Sequence, residues 1–177
     1  AILLKPDLAI SYYNLCEILT DLSRFKEAEA AIRKAIELNP NYSEAYNILG
    51  NLLKHLGLLE EAELSIRQAI KLKPVYPIAY CNLGIILRDI GKLEEAELII
   101  RKGIDLKPDS ANAFSILGII LIDKGNLKEA EDVIRKAIEI NPNNSEAHYN
   151  LVGILIELGR IKEAEILLKA VIKIKPN

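Results

Sequence analysis

Six prolines, Pro6, Pro40, Pro74, Pro108, Pro142 and Pro176, stand at intervals of 34 residues without a slip. A fixed period between about 20 and 50 residues marks an array of supersecondary units, each burying its apolar face only against its neighbours. Such a chain offers surfaces rather than one enclosed pocket, so function is sought on faces that vary from unit to unit. Counted from the prolines, residues 9–42, 43–76, 77–110, 111–144 and 145–177 form five repeats of one continuous domain, starting at Ala9, Ser43, Pro77, Ala111 and Ser145. The sequence contains no Met and opens on Ala1-Ile2-Leu3-Leu4-Lys5-Pro6, a copy of the repeat endings Ala35–Pro40 and Ala69–Pro74. Residues 1–8 therefore read as the tail of a preceding, truncated repeat, and the chain as a piece of a longer protein.

Each repeat divides into two helices. In the first half, large apolar residues recur at steps of three and four, as in Tyr46, Leu49, Leu53 and Leu56 or Tyr80, Leu83, Leu87 and Ile90. This spacing lays them along one stripe of a helix. The helix ends near Gly57, Gly91, Gly125 or Gly159, with Ser23 at the matching place of the first repeat; glycine accepts the left-handed conformation a helix C-terminus favours. A second helix opens on Lys26-Glu27, Glu60-Glu61, Glu94-Glu95, Lys128-Glu129 or Lys162-Glu163 and stops before the proline. Small residues fall in rows where helices must approach closely: Ala28, Ala62, Ala96, Ala130 and Ala164; Gly50, Gly84 and Gly118; Ala35, Ala69, Gly103 and Ala137. The expected fold class is all-α.

The net charge of −2 and pI near 5.8 give no basic footprint for nucleic acid. No apolar run approaches the ~18 residues of a membrane span, and no secretory signal is present. Cys16 and Cys81 have neither metal-ligand nor redox spacing and read as buried, reduced thiols of a cytoplasmic protein. His55 and His148 belong to no metalloprotease motif, and no phosphate-binding glycine loop occurs. The segment is thus expected to carry no catalytic residues, cofactor or metal. Glu29–Arg33, Glu63–Arg67, Glu97–Arg101, Glu131–Arg135 and Glu165–Lys169 are i, i+4 pairs in the favourable orientation, a solvated helix face.

At this point the residues resemble a known family. Tyr46, Leu49, Gly50, Leu53, Ala62, Ile66 and Pro74 reproduce the pattern of the tetratricopeptide repeat, as do Tyr80, Leu83, Gly84, Leu87, Ala96, Ile100 and Pro108, and Phe114, Leu117, Gly118, Leu121, Ala130, Ile134 and Pro142. The first repeat departs with Cys16 for the glycine; the fifth departs with His148, Val152 and Val171. The resemblance implies a right-handed superhelical α-solenoid of antiparallel helix pairs, with the first helices lining a concave groove where peptides bind. Apolar surface left uncovered at the two ends would allow end-to-end self-association.

The candidate peptide groove comprises Tyr13, Asn14, Asn47, Asn51, Lys54, Asn82, Ile85, Arg88, Asn112, Ile119, Ile122, Tyr149 and Asn150. Glu17, Thr20, Asp21, Ile48 and His55 share the same stripes. Asn14, Asn82 and Asn150 hold one place in alternate repeats, with Ile48 and Ile116 between. Amides both donate and accept, so the row either grips an extended backbone or is simply the family's habitual residue. Ile85, Ile116, Ile119, Ile122 and Ile156 either form an apolar patch facing a ligand or pack between helices. Asp21, Asp89, Asp123 and Glu157 share a place near the first helix's end, where they either attract basic ligands or are merely solvated. The clamp by which some family members hold acidic chaperone tails lacks its cations: Asn47, Asn112 and Ile116 stand where they belong, so a terminal carboxylate gains no charge-assisted bond.

The expected function is a non-catalytic scaffold that binds a peptide or partner protein, the ligand being extended, neutral to basic and partly apolar. The alternative is a substrate-docking arm of a larger enzyme. The asparagine row resembles that of O-linked N-acetylglucosamine transferases, although here it skips every other repeat.

Overall fold

The computed structural model describes residues 6–174, with side chains from Asp7 to Ile172. The expectation for residues 1–5, and Pro176 as the last period mark, lie outside the described residues. Among these the regular structure is entirely helical. The ten helices are α1 (Pro6–Asp21), α2 (Phe25–Leu38), α3 (Ser43–His55), α4 (Leu59–Leu72), α5 (Pro77–Ile90), α6 (Leu93–Leu106), α7 (Ala111–Asp123), α8 (Leu127–Ile140), α9 (Ser145–Glu157) and α10 (Ile161–Ile174). The all-α helical-repeat fold expected from the period is therefore present. α1 starts at Pro6, three residues ahead of the place where α3, α5, α7 and α9 begin.

The chain forms two bodies, Ala1–Gly91 with α1 to α5 and Lys92–Asn177 with α6 to α10. In the N-terminal body each helix packs on the next, and α3 also touches α5; in the C-terminal body α6 to α10 do the same, and α7 touches α9. Connections of three residues, such as 22–24, 56–58, 124–126 and 158–160, are too short for anything but antiparallel neighbours. They turn through a left-handed residue: φ is 77° at Gly57, 75° at Gly125 and Gly159, and 57° at Ser23. The amide of the residue after each bonds back to a carbonyl five residues earlier, as in Arg24 N to Leu19 O at 2.8 Å and Asn126 N to Leu121 O at 2.9 Å. That bond caps a helix end whose carbonyls would otherwise lack partners.

Cores form where the small-residue rows allow close approach. Ile32, Leu53 and Ile66 are fully buried in the N-terminal body, and Leu117, Leu121 and Ile134 in the C-terminal one. Each such side chain contributes about 1.5–3 kcal/mol relative to exposure. A Cβ added at Gly50 would run into the Ile66 side chain, and one at Gly118 into Ile134. The glycines are thus the condition for seating those isoleucines. Pro77 opens α5 at its first position, where its missing N–H removes no helical bond.

Candidate functional site

In the N-terminal body, α1, α3 and α5 lie along one side and leave a groove of ≈ 710 Å³. Glu17, Thr20 and Asp21 of α1 form one wall; Ile48, Asn51, Leu52, Lys54 and His55 of α3 form the floor and second wall; Asn82 reaches in from α5. The periodic stripe positions these groups: residues at steps of three and four on α1 and α3 return to the same face while Leu49 and Leu53 enter the core.

Of the residues proposed from sequence, Asn51, Lys54 and Asn82 come together in this groove. Asn47 is a correction. It is only 4% exposed, and its Oδ1 accepts a 2.9 Å hydrogen bond from Asn82 Nδ2. It therefore holds Asn82 in place from beneath rather than facing a ligand. Asn82 keeps its own Oδ1 and second N–H for other partners. Tyr13 is half-buried and Asn14 exposed on α1, while Ile85 and Arg88 are half-buried on α5. None of these four lines the groove.

Tyr13 belongs instead to an aromatic cluster. Its ring stacks on Tyr42 with centroids 5.2 Å apart. Burial, with the Glu17 carboxylate next and Tyr42 and Tyr76 adding to it, pushes the Tyr13 phenol up to about 12. Beside the cluster, Lys73 bonds Glu44 at 2.7 Å and sits 4.7 Å from the Tyr76 ring centre. The Lys73 bond holds the Glu44 carboxyl below the usual range against the opposing effect of burial. At the groove floor His55 stacks on Phe25, with centroids 5.5 Å apart and planes 9° from parallel. Tyr42 and Phe25 are absent from the sequence-derived set. Tyr42 and Tyr76 carried a signal, for they stand one period apart just ahead of a first helix. In the C-terminal body the same place holds Ser110 and Asn144, whose side chains cap α7 and α9 by accepting from Ala113 N and Ala147 N.

The other candidates lie in the C-terminal body, and none of them lines this groove. Asn112 and Tyr149 are exposed, and Ile119 and Ile122 are half-buried. Ile116 is buried at 6% exposure while Ile156 is 52% exposed, so these isoleucines do not form one open patch. Asn150 occupies the place of Asn82, yet its buried Nδ2 has no hydrogen-bond partner. Ser115, at the place of Asn47, is engaged by Asn144 Nδ2 at 3.1 Å. Among the described residues no helix is long and apolar enough to cross a membrane.

Four family models, each described as a tetratricopeptide repeat, match residues 9–42, residues 31–63, residues 62–111 with 81–145, and residues 121–177. Together they run without a gap from residue 9 to the end. Among curated proteins none matches the chain in sequence. Among solved structures, YrrB, described as a TPR protein with an unusual peptide-binding site, superposes with a TM-score of 0.72 at 24% identity, covering 96% of this chain and 87% of that one. MamA of Desulfovibrio magneticus RS-1 gives 0.83 at 21% identity over 94% of each chain. The pilF protein of Pseudomonas aeruginosa gives 0.86 at 18% identity, covering 94% of this chain and 76% of that one. At these identities the likeness is one of fold.

Proposed function

The chain belongs to the tetratricopeptide repeat family, and on that premise we propose that its N-terminal body holds an extended, neutral-to-basic peptide segment of a partner protein between α1, α3 and α5. The family fold is a scaffold for protein–protein contacts. The observation that carries the finer reading is the groove itself, where two amides, a hydroxyl and an apolar floor converge in a space of ≈ 710 Å³. Asn51 and Asn82 can each donate to and accept from a peptide backbone, which suits a ligand read by its main chain. Glu17 and Asp21 outnumber Lys54, so the α1 wall favours a cationic side chain and the Lys54 side a peptide carbonyl or carboxylate. The description of YrrB as a peptide binder accords with this class of ligand.

Selection of peptides from a random displayed library tests the proposal. Selected sequences are expected to carry Lys or Arg beside apolar residues. Asn51→Ala and Glu17→Gln should each weaken them about 2–10-fold, the worth of one net hydrogen bond. Gln68→Ala, on α4 and outside this groove, serves as the control. Asn82→Ala is a poorer probe, because it also leaves the buried Asn47 Oδ1 without its donor. Affinities unchanged in both groove variants would remove this groove as the binding site.

A further inference from the structure

Where Lys73 meets Tyr76, the protein holds a cation of its own. The ammonium sits 4.7 Å from the ring centre and bonds the Glu44 carboxylate at 2.7 Å, so a ring and a carboxylate share one positive charge. One period earlier Tyr42 holds the place of Tyr76, but Asn39 holds that of Lys73 and Ile10 that of Glu44. The Asn39 side chain is turned to its own loop, its Oδ1 accepting from Asn41 N at 3.2 Å. The carboxylate comes from α1 instead. Glu17 lies one turn after Tyr13 on the same helix face; it accepts a hydrogen bond from the Tyr13 phenol, and its charge also reaches Tyr42. Glu44 is paired with Lys73, whereas among the described residues no ion pair engages Glu17. Tyr13 and Tyr42, stacked at 5.2 Å with planes 25° apart, therefore stand beside an exposed carboxylate that has no cation.

We propose that the Tyr13–Tyr42 pair and Glu17 form a subsite for one arginine side chain of the peptide held between α1, α3 and α5. The inference rests on that reading of the groove and names the side chain it selects. Glu17 lines the groove together with Asn51 and Asn82, so a main chain gripped by the amides has the subsite within the same wall. A guanidinium is planar and weakly hydrated, so it stacks on a tyrosine ring at little cost while its N–H groups fork onto a carboxylate. The Glu17 carboxylate keeps acceptor sites beyond the one the Tyr13 phenol uses. An ammonium is more strongly hydrated and cannot stack, which places lysine second. Tyr13 and Glu17 lie on the opposite side of α1 from Leu15 and Ile18, and every group of the subsite belongs to the N-terminal body. The subsite is therefore independent of what packs on Leu15 and Ile18. Ser110 and Asn144, which replace the tyrosines in the C-terminal body, confine it to this one.

Titration of the intact chain with N-acetyl-argininamide, followed by NMR, tests this without any peptide. The ring resonances of Tyr13 and Tyr42 should shift saturably. N-acetyl-citrullinamide, which keeps the planar shape without the charge, should bind about 3–10-fold more weakly, the worth of one exposed cation–π contact with an ion pair. N-acetyl-lysinamide should fall between them. Glu17→Gln, at an exposed position, should remove most of the preference for arginine over citrulline. Tyr42→Leu should weaken argininamide several-fold, and Tyr42→Phe, which keeps the ring, should restore it; circular dichroism checks that each variant is folded. In a peptide recovered from the displayed library, replacing its arginine by citrulline should cost the same ~3–10-fold in the wild type and under about twofold in Glu17→Gln, since the two changes remove one contact. Rings left unshifted by argininamide, or shifted at equal affinity by citrullinamide, overturn the subsite even where library peptides bind and Asn51→Ala weakens them. Argininamide bound at Tyr13 and Tyr42 with no peptide recovered supports the cation subsite and overturns the peptide groove instead. Equal affinity for lysinamide overturns the choice of arginine.

Discussion

Ser23 takes φ of 57°, in the region that Gly57, Gly91, Gly125 and Gly159 occupy at its matching places. An L-residue there crowds its Cβ against the backbone, at roughly 1–2 kcal/mol. Glycine relieves that strain but adds freedom to the unfolded chain, which offsets part of the gain. Ser23→Gly is therefore expected to stabilise the chain by up to about 1 kcal/mol, and Gly125→Ala to destabilise it by about 1 kcal/mol. A Cβ at Gly125 meets nothing within 4 Å, so the second effect is a matter of backbone alone. Urea denaturation measures both; a neutral Gly125→Ala would show that the left-handed turn is not limiting. The special status of Ser23 was legible in the sequence because the period places it among glycines. The burial of Asn47 was not. It lies at the margin between the core stripe and the open stripe of α3, and its side is decided by Asn82 on a helix 35 residues away in sequence. Margin positions of a helix are settled by the neighbour that arrives, which no local pattern records.

At the scale of the helices, glycine has a second role that its position in the period also reveals. Gly118 in α7 faces Ile134 of α8, which is fully buried and so cannot turn out into solvent. Gly118→Ala should therefore force the helix pair apart at a cost of about 1–3 kcal/mol. Gly153 of α9 provides the internal comparison, since an added Cβ there has no neighbour within 4 Å. Gly153→Ala should stabilise α9 by up to about 1 kcal/mol through helix propensity. Opposite signs in chemical denaturation are the expected result, and destabilisation by both would mean that spacing is not what separates these glycines. Cys16 and Val152, which replace the glycine in the first and fifth repeats, are accommodated with little exposure, so the pairs α1–α2 and α9–α10 accept a larger residue. Helix existence, type and turn positions were legible because packing repeats identically every 34 residues. The groove was legible only in outline: the stripe named Asn51, Lys54 and Asn82, but not the stacking of Tyr42 on Tyr13 or Phe25 on His55. The first joins a turn residue to a helix, and the second joins the first residue of α2 to the last of α3; helical periodicity says nothing about turns or about which helix ends meet.

For the molecule as a whole, ionisable groups in both bodies set the pH range of stability. Glu97 lies below its ordinary value of 4.5 because Lys124 and Arg101 bond its carboxylate, and Glu44 is lowered first by Lys73. A carboxyl whose folded pKa is depressed contributes stability that is present above the unfolded pKa and lost as pH falls through the folded one. Stability should therefore decline as pH drops below about 4.5, and Glu97→Gln should flatten part of that decline. The alkaline edge has the opposite origin. Tyr13, raised from 10.0 to about 12 chiefly by burial and then by Glu17, prefers its neutral form when folded. A group with a raised folded pKa contributes stability that is complete below the unfolded value and lost as pH rises through the folded one. The wild type should therefore lose stability between pH 10 and about 12 more steeply than Tyr13→Phe, which cannot ionise. Urea midpoints at pH 7, 10 and 12 separate the two, and parallel losses in both proteins would assign the alkaline edge to other groups, the lysines first among them.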